Sequence, residues 1–593
     1  MLRVTATICA VLFALAGCDD PAFDFSDPAR GPSDLVGGPN KVSNGEFFGG
    51  NDELPRARLV ATLPNDGSLP DCGPSCEAYC EALKLTNPVN RGVCQGLWGV
   101  GLDHQPVVKV EACRRLFVDL VGRYPTREDV IATCDGKPWG EVALNLINRP
   151  EFIRVNQKRW SDRLSYDTQS VSVERIYDMD KLVGKLYRGE LSYDEFAAVT
   201  SAHPVLTRRL ATPEDRTDYL YQLFFGRPPL GAEASDMSRL YGTWYQGYYD
   251  HPQLQMRLPD AHIQFPCVDD DGNLDPNLRS ECTSTLYGDF TEMILEPDIR
   301  ARLDERGNLT MWSGILKASE WQKLQAPGRL LATQTLFWEK AVDDVLNQYL
   351  DYDLGNLVPT VRDELVRYFL EFGGDIRALH FAVVTSAPYL QSATNTTPTT
   401  YRWTFGPLRQ VEAEAWIDSI KVMTGYDLGE CDHRLTRPQD FLETNTVAGV
   451  ALVENSDWRF NEDGVDYRYR NVARGLGGCP DNSVGGRFKI ISILTTAQQL
   501  NFVNQVCDPS FEGGGAAIES MLPAGLDPNS ALTRDSSAAI YKHQVGRFLG
   551  RLPDADEITQ ASDFGEECTG CTAAQFARPT CFALLSSAEM LFY

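Results

Sequence analysis

Histidine is nearly missing from this chain. Seven of 593 residues carry an imidazole, so the side chain that most often serves as general base or metal ligand near neutral pH is in short supply. The spacings through which sequences announce common chemistry are missing too. There is no G-x-S-x-G elbow, no H-E-x-x-H, no P-loop and no dinucleotide-binding G-x-G-x-x-G. A c-type haem needs C-x-x-C-H, and the C-x-x-C at Cys568-Thr-Gly-Cys571 is followed by Thr572. Positive charge is scarce as well. Lys and Arg number 55 against 82 Asp and Glu, a net charge of -27, which argues against nucleic acid or anionic headgroups as partners. No stretch is long and apolar enough to span a bilayer.

What is present begins at the amino end. Met1-Leu2-Arg3, the short apolar run Val4 to Ala16 and the small residues after it read as a signal peptide over 1-17. The order Leu15-Ala16-Gly17-Cys18 resembles the bacterial lipobox, whose thiol is acylated before cleavage. Cys18 is therefore the expected lipidation site, bearing palmitate-type acyl chains. The chain is expected in a bacterial cell envelope, lipid-anchored and facing the periplasm or the cell exterior, with inner and outer membrane left open. Residues 18-70 are rich in Pro, Gly, Asp, Asn and Ser and read as a flexible tether.

Cysteine usage agrees with export. Of 16 cysteines, Cys9 leaves with the signal and Cys18 takes lipid, so an even number remains for disulfides. Counting cannot give the connectivity; by proximity alone Cys113 pairs with Cys134, Cys267 with Cys282 and Cys568 with Cys571. Cys72, Cys76, Cys80 and Cys94 make a small cysteine-stapled element over 71-110. A structural zinc site would need a second matched ligand pair, so no metal and no cofactor is expected.

Beyond residue 110 the periodicity is helical. Cys113, Leu116, Phe117, Leu120 and Val121 form one apolar face at i, i+3, i+4, i+7 and i+8. That helix ends in Gly122-Arg123-Tyr124-Pro125, followed by Asp129. The same construction recurs as Gly226-Arg227-Pro228-Pro229 with Glu233, and as Gly550-Arg551-Leu552-Pro553 with Glu557. The shared phrase is G-R-x-P-x3-[DE]: a glycine C-cap, a proline that stops the helix, and an acid in the next cap. An arginine there can bond the last helical carbonyls or reach the acid six residues on. A second phrase recurs at Leu146 to Phe152, Ile315 to Trp321, Val383 to Tyr389 and Leu584 to Met590. The expected fold is mainly α: multi-helical, with divergent helical-hairpin repeats and disulfide-bonded loop insertions. A first helical domain is expected over 111-330 and a second over 331-593, with a Gly- and Asn-rich insertion at about 440-490. The acidic loop between Cys267 and Cys282 lacks two EF-hand ligands and reads as a disulfide-closed loop.

Arg114-Arg-Leu-Phe-Val-Asp-Leu-Val-Gly-Arg-Tyr-Pro-Thr126, Pro150-Glu-Phe152 and Trp160-Ser-Asp162 resemble the opening of an uncharacterised exported domain of planctomycetes, often fused to a cytochrome c module. Gly374 to His380, Thr385-Ser386, Tyr389, Arg409, Ala413-Glu414-Ala415, Asp418 and Cys581 to Tyr593 are similar to its companion domain. The cytochrome module is absent. The resemblance implies a secreted sulfatase-like protein as a candidate partner.

Three side chains are candidates for chemistry. Glu414 and Asp418 are i, i+4 neighbours flanked by Val411, Ala415 and Val422 on the expected inward side. Such a like-charged pair requires a compensating cation, with Arg409 or a G-R arginine the expected source. An ion-pair network is favoured over paired carboxylates for acid-base work or metal binding. His380 falls on an apolar helical face and reads as a core histidine in preference to a base or ligand. The function expected is a membrane-anchored binding or scaffold lipoprotein presenting a helical surface to a secreted partner or polymer. The alternative is a hydrolase of extracellular glycans using Glu414 and Asp418.

Overall fold

The computed structural model describes residues 87–96, 107–166, 173–207, 210, 212–241, 324–350, 353–392, 408–426, 446–447, 450–451, 471–479, 492–508, 510 and 515–593. Cys18 and the tether, Cys72, Cys76 and Cys80, the Cys267–Cys282 loop and the phrase beginning at Ile315 lie outside these residues. What is described is mainly helical. Its strands are a two-residue hairpin, Thr446–Val447 against Val450–Ala451, inside the predicted insertion.

Helix α1 spans Pro88–Gly96 and α2 spans Lys109–Val121. Thr126 opens the short α3, Arg127–Asp129, with a reciprocal capping box, and a π turn follows over Val130–Cys134. The Cys113–Cys134 disulfide ties that turn back to α2. Next come α4 (Trp139–Ile147), α5 (Pro150–Leu164), α6 (Val173–Arg188), α7 (Tyr193–Ala202), α8 (Pro213–Phe225) and α9 (Ala232–Leu240). Past the gap in the described residues, α10 (Thr335–Leu350), α11 (Pro359–Glu371) and α12 (Ile376–Val384) pack onto the same core. The carboxyl half contributes α13 (Ala413–Thr424), α14 (Ile493–Cys507), α15 (Arg534–Gln544), α16 (Ala555–Glu567) and α17 (Ala573–Leu585). A disulfide joins Cys507 of α14 to Cys581 of α17, and Cys568–Cys571 closes the corner between α16 and α17.

Two apolar clusters organise these helices. The first runs from Val89 to Leu390 and the second gathers residues from Val411 to Tyr593 with Val118 and Tyr124. Residue 330 therefore falls inside the first cluster, and the break between the two comes after Leu390. Helix α2 is the seam. Cys113, Leu116, Phe117 and Leu120 enter the first cluster, while Val118 enters the second. Its charged residues Arg114, Arg115 and Asp119 are buried as well, at 4%, 0% and 0% exposure. A helix covered on every side is packed between layers. The chain also closes on itself: Arg409 N–H donates to Tyr593 O (3.0 Å), and Tyr593 N–H returns the bond to Arg409 O (3.1 Å).

The G-R turns share one local geometry. Gly122, Gly226 and Gly550 have φ of 81°, 70° and 69°, the left-handed region that a Cβ disfavours. The Gly122 and Gly226 N–H groups bond carbonyls of the preceding helix. Each arginine then spans the turn. Arg123 Nη1 donates to Asp129 Oδ2 (2.7 Å). Arg227 grips Glu233 through two bonds (2.7 and 2.8 Å), and Arg551 grips Glu557 likewise (2.8 and 2.7 Å). Each also donates to the carbonyl of the residue that follows it, Tyr124, Pro228 or Leu552. Pro125, Pro229 and Pro553 sit inside these arginine-acid clasps. The second repeated phrase is a helix-ending break. Asn148, Thr385 and Ser586 have ψ of 6°, 8° and 1°, each one residue past a helix end.

Candidate functional site

Helix α5 begins at Pro150 in its first turn, where a missing N–H costs nothing. Phe152 and Trp160 point into the first core. On another face, Glu151, Arg154, Lys158, Arg159 and Asp162 follow one another at helical spacing and form a charged stripe. That stripe, the face of α13 bearing Glu414 and Asp418, and the end of α10 at Asp344 and Gln348 wall a cleft of about 620 Å³. Tyr593 and Arg409 also line it. Seven basic and six acidic side chains line the cleft, in a chain whose acids far outnumber its bases. Basic residues are therefore concentrated here.

Beneath the cleft lies a buried polar centre on Asp119. Its carboxylate accepts from Tyr389 Oη (2.8 Å), from Tyr593 Oη (2.9 Å) and from Arg409 Nη2. Burial, chiefly, pushes both tyrosine hydroxyls well above their usual range, so they remain protonated donors. Burial opposes the charge of Arg409, but Asp119 foremost overcomes it and holds the guanidinium protonated. Its Nη1 donates to Gln348 O. Arg115 donates to the carbonyls of Tyr389 and Gln391 from the other side.

Glu414 is 2% exposed. Its Oε1 accepts from the Cys479 N–H (2.8 Å) and faces Lys158 Nζ at 3.2 Å. The Gly478 backbone lies so close that a Cβ there would fall 2.5 Å from Glu414 Oε2. Among the described residues, a lysine of α5 and a backbone amide contribute compensation. Arg409 and the G-R arginines, the expected sources, are engaged elsewhere: Arg409 with Asp119, and each turn arginine with its own acid. Asp418, one turn on, lines the same cleft and is half-buried. Val411 and Ala415 are buried as expected, whereas Val422 is 42% exposed and stands at the cleft. The register of α13 turns that side toward the opening.

His380 lies outside the cleft, fully buried. Its ring meets Phe152, Tyr187 and Tyr349 edge-on at centroid distances of 5.3, 5.6 and 5.4 Å. Nδ1 bonds Tyr349 Oη at 2.5 Å. Burial first, and Arg159 second, drive its pKa well below the usual imidazole value, so it sits neutral in an aromatic box.

Arg159 was not singled out by sequence. Its hydrogen bond, from Nη1 to Asp119 O, is 3.5 Å long, beyond good geometry. Among the described residues no carboxylate comes within ion-pair distance of it. Burial works against its charge, but Tyr349, Glu412, Asp119 and Tyr593 together outweigh that and keep the guanidinium protonated. The available signal was its place in the α5 charge stripe, which on its own looks like a solvated helix face. Among the described residues no group of three or more metal-ligating side chains assembles, and no helix is long and apolar enough to cross a membrane.

Comparison with family models, with curated proteins and with solved structures finds no match to this chain.

Proposed function

We propose that this protein is a non-catalytic binding component of a bacterial cell envelope, anchored by lipid on Cys18, which offers its cleft to a secreted partner or polymer. The observation that carries this reading is the state of Glu414. It is buried, and Oε1 is already committed to the Cys479 amide and Lys158. A residue so placed braces α13 against α5 and the Gly478 segment; it does not stand ready to exchange a proton with a substrate. The seam position of the cleft, between two packed cores, is where binding sites commonly form. The Leu-Ala-Gly-Cys order and the disulfides support export. The motif likeness to the planctomycete exported domains makes a sulfatase-like secreted protein the first partner to test.

A glycan hydrolase using Glu414 and Asp418 is the second reading, favoured by one fact: both residues line the same cleft. The two readings separate on Glu414→Gln in the exported full chain. Binding-component behaviour predicts a lower unfolding midpoint and no hydrolysis of a polysaccharide panel by either protein. Turnover by the wild type, lost in a normally folded variant, would falsify it. Detergent-phase partitioning of the wild type, absent in Cys18→Ser, tests the anchor.

A further inference from the structure

The cleft floor holds an imbalance of hydrogen-bonding groups. Arg409 is 5% exposed, and with Nη1 and Nη2 engaged its buried Nε has no acceptor. Gln348, whose carbonyl receives Arg409, has a buried Nε2 without an acceptor. Arg159 reaches the same Asp119 through one long bond and has no counter-ion among the described residues. Glu412 acts on it through space without reaching ion-pair distance. Asp119 cannot relieve this, because Arg409 and two tyrosines already occupy its carboxylate. One acceptor is unmet as well: Asn156 is fully buried, gives its Nδ2 to Phe152 O (2.8 Å), and leaves Oδ1 without a donor. All four residues line the cleft. Buried polar groups are satisfied as a rule, and an unpaired guanidinium beside a buried ion pair is costly. A cluster of such groups in one cavity calls for a partner that the cavity receives.

We infer that the floor of this cleft is the binding site for an acidic saccharide unit, with Arg159, Arg409 and Gln348 receiving its oxyanion and Asn156 receiving a hydroxyl. The inference deepens the binding-component reading and rests on it. The donors call for a carboxylate or sulfate, to which the Arg159 guanidinium fork is matched, with Arg409 Nε and Gln348 Nε2 as single donors beside it. The Asn156 acceptor calls for an O–H on the same molecule. A volume of about 620 Å³ exceeds what a bare inorganic anion fills and lies within the usual range of small-molecule sites.

The test is calorimetric titration of the full-length chain at fixed ionic strength with three probes: sodium glucuronate, sodium sulfate and glucose. Glucuronate should bind tightest, sulfate more weakly and glucose not measurably. Arg159→Gln should weaken glucuronate binding by about tenfold or more, as loss of a charged hydrogen bond implies. Arg159→Lys, which keeps the charge, should fall between. Arg239→Gln removes the same charge from an exposed position on α9, outside the cleft, and should bind as the wild type does. Equal losses in Arg239→Gln and Arg159→Gln would reduce the effect to general electrostatics and overturn the site. Sulfate binding as tightly as glucuronate overturns the saccharide, glucose binding equally overturns the oxyanion, and no binding of any probe overturns the whole inference. New reducing ends from an oligoglucuronide would instead overturn the non-catalytic reading, while the Arg159 result would still stand or fall on its own.

Discussion

Asp119→Ala should remove more stability than any other single side-chain truncation on α2. The carboxylate is wholly buried and accepts from Arg409, Tyr389 and Tyr593. Truncation leaves Arg409 charged, 5% exposed and without its counter-ion, which costs about 3–5 kcal/mol. Each orphaned tyrosine hydroxyl adds about 1–3 kcal/mol. The three donors share one site, so the terms overlap and the total falls near ~5 kcal/mol. Against a typical stability of about 5–15 kcal/mol, that is a third or more of the whole. The measurement is guanidinium unfolding followed by tryptophan fluorescence, with Tyr593→Phe and the double variant Asp119→Leu/Arg409→Met alongside. Tyr593→Phe should cost about 1 kcal/mol. The double variant should lose less than Asp119→Ala, because no unpaired buried charge remains. A loss below about 2 kcal/mol for Asp119→Ala, or a double variant no better than the single, would refute the buried ion pair as the organising contact.

His380 predicts a pH dependence with a defined sign. Its folded pKa lies below the unfolded value, so the unfolded state binds the extra proton; stability is full above about pH 6.5 and falls as pH drops below it, by up to ~1.4 kcal/mol per pH unit. His380→Asn, which keeps a partner for Tyr349, should flatten that slope between pH 6.5 and 5, and an unchanged slope would rule the residue out. Glu233 and Glu557 are held below their usual pKa, with burial opposing and Arg227 and Arg551 respectively prevailing. Their contribution is present above about pH 4.3 and lost only below it, so Arg551→Ala should change the acid limb and leave the His380 limb intact. Opening Cys507–Cys581, which closes 74 residues, by a double serine substitution should cost about 4 kcal/mol, and opening Cys568–Cys571 less than about 2. Equal shifts in denaturation midpoint would contradict the loop-closure argument.

Local chemistry was legible in the sequence; distant pairing was not. The G-R turns could be read because every element of them lies within eight residues: a glycine cap, a proline stop, an acid six residues past the arginine. Cys113–Cys134 and Cys568–Cys571 were within reach of a proximity guess, while Cys507–Cys581 was not. Periodicity marked the Cys113–Val121 face, yet it also assigns Arg114, Arg115 and Asp119 to a solvated side. Nothing local says that Asp119 meets an arginine 290 residues later, or that Glu414 meets Lys158. The like-charge argument at Glu414 and Asp418 correctly demanded a cation. It named the wrong one, because the choice between Arg409 and Lys158 depends on how α5 and α13 face each other.

The repeated turns do not stack at a constant offset. The first and third pack directly together: a Cβ on Gly550 would lie 3.2 Å from Pro125 O, and Arg114 donates to Leu549 O (2.6 Å) and Glu589 O (2.5 Å). The second instead meets α10, with Lys340 Cε 2.8 Å from where a Gly226 Cβ would sit. A regular solenoid would bury one continuous core. Here the carboxyl-terminal segment packs back against α2, two cores form, and their junction stays open between α5, α10 and α13. Arg159 belongs to the first body, and Arg409 and Tyr593 enter from the second. A ligand held by both sides binds the folded chain and not the unfolded one, so it would stabilise the seam by RT ln(1 + [L]/Kd).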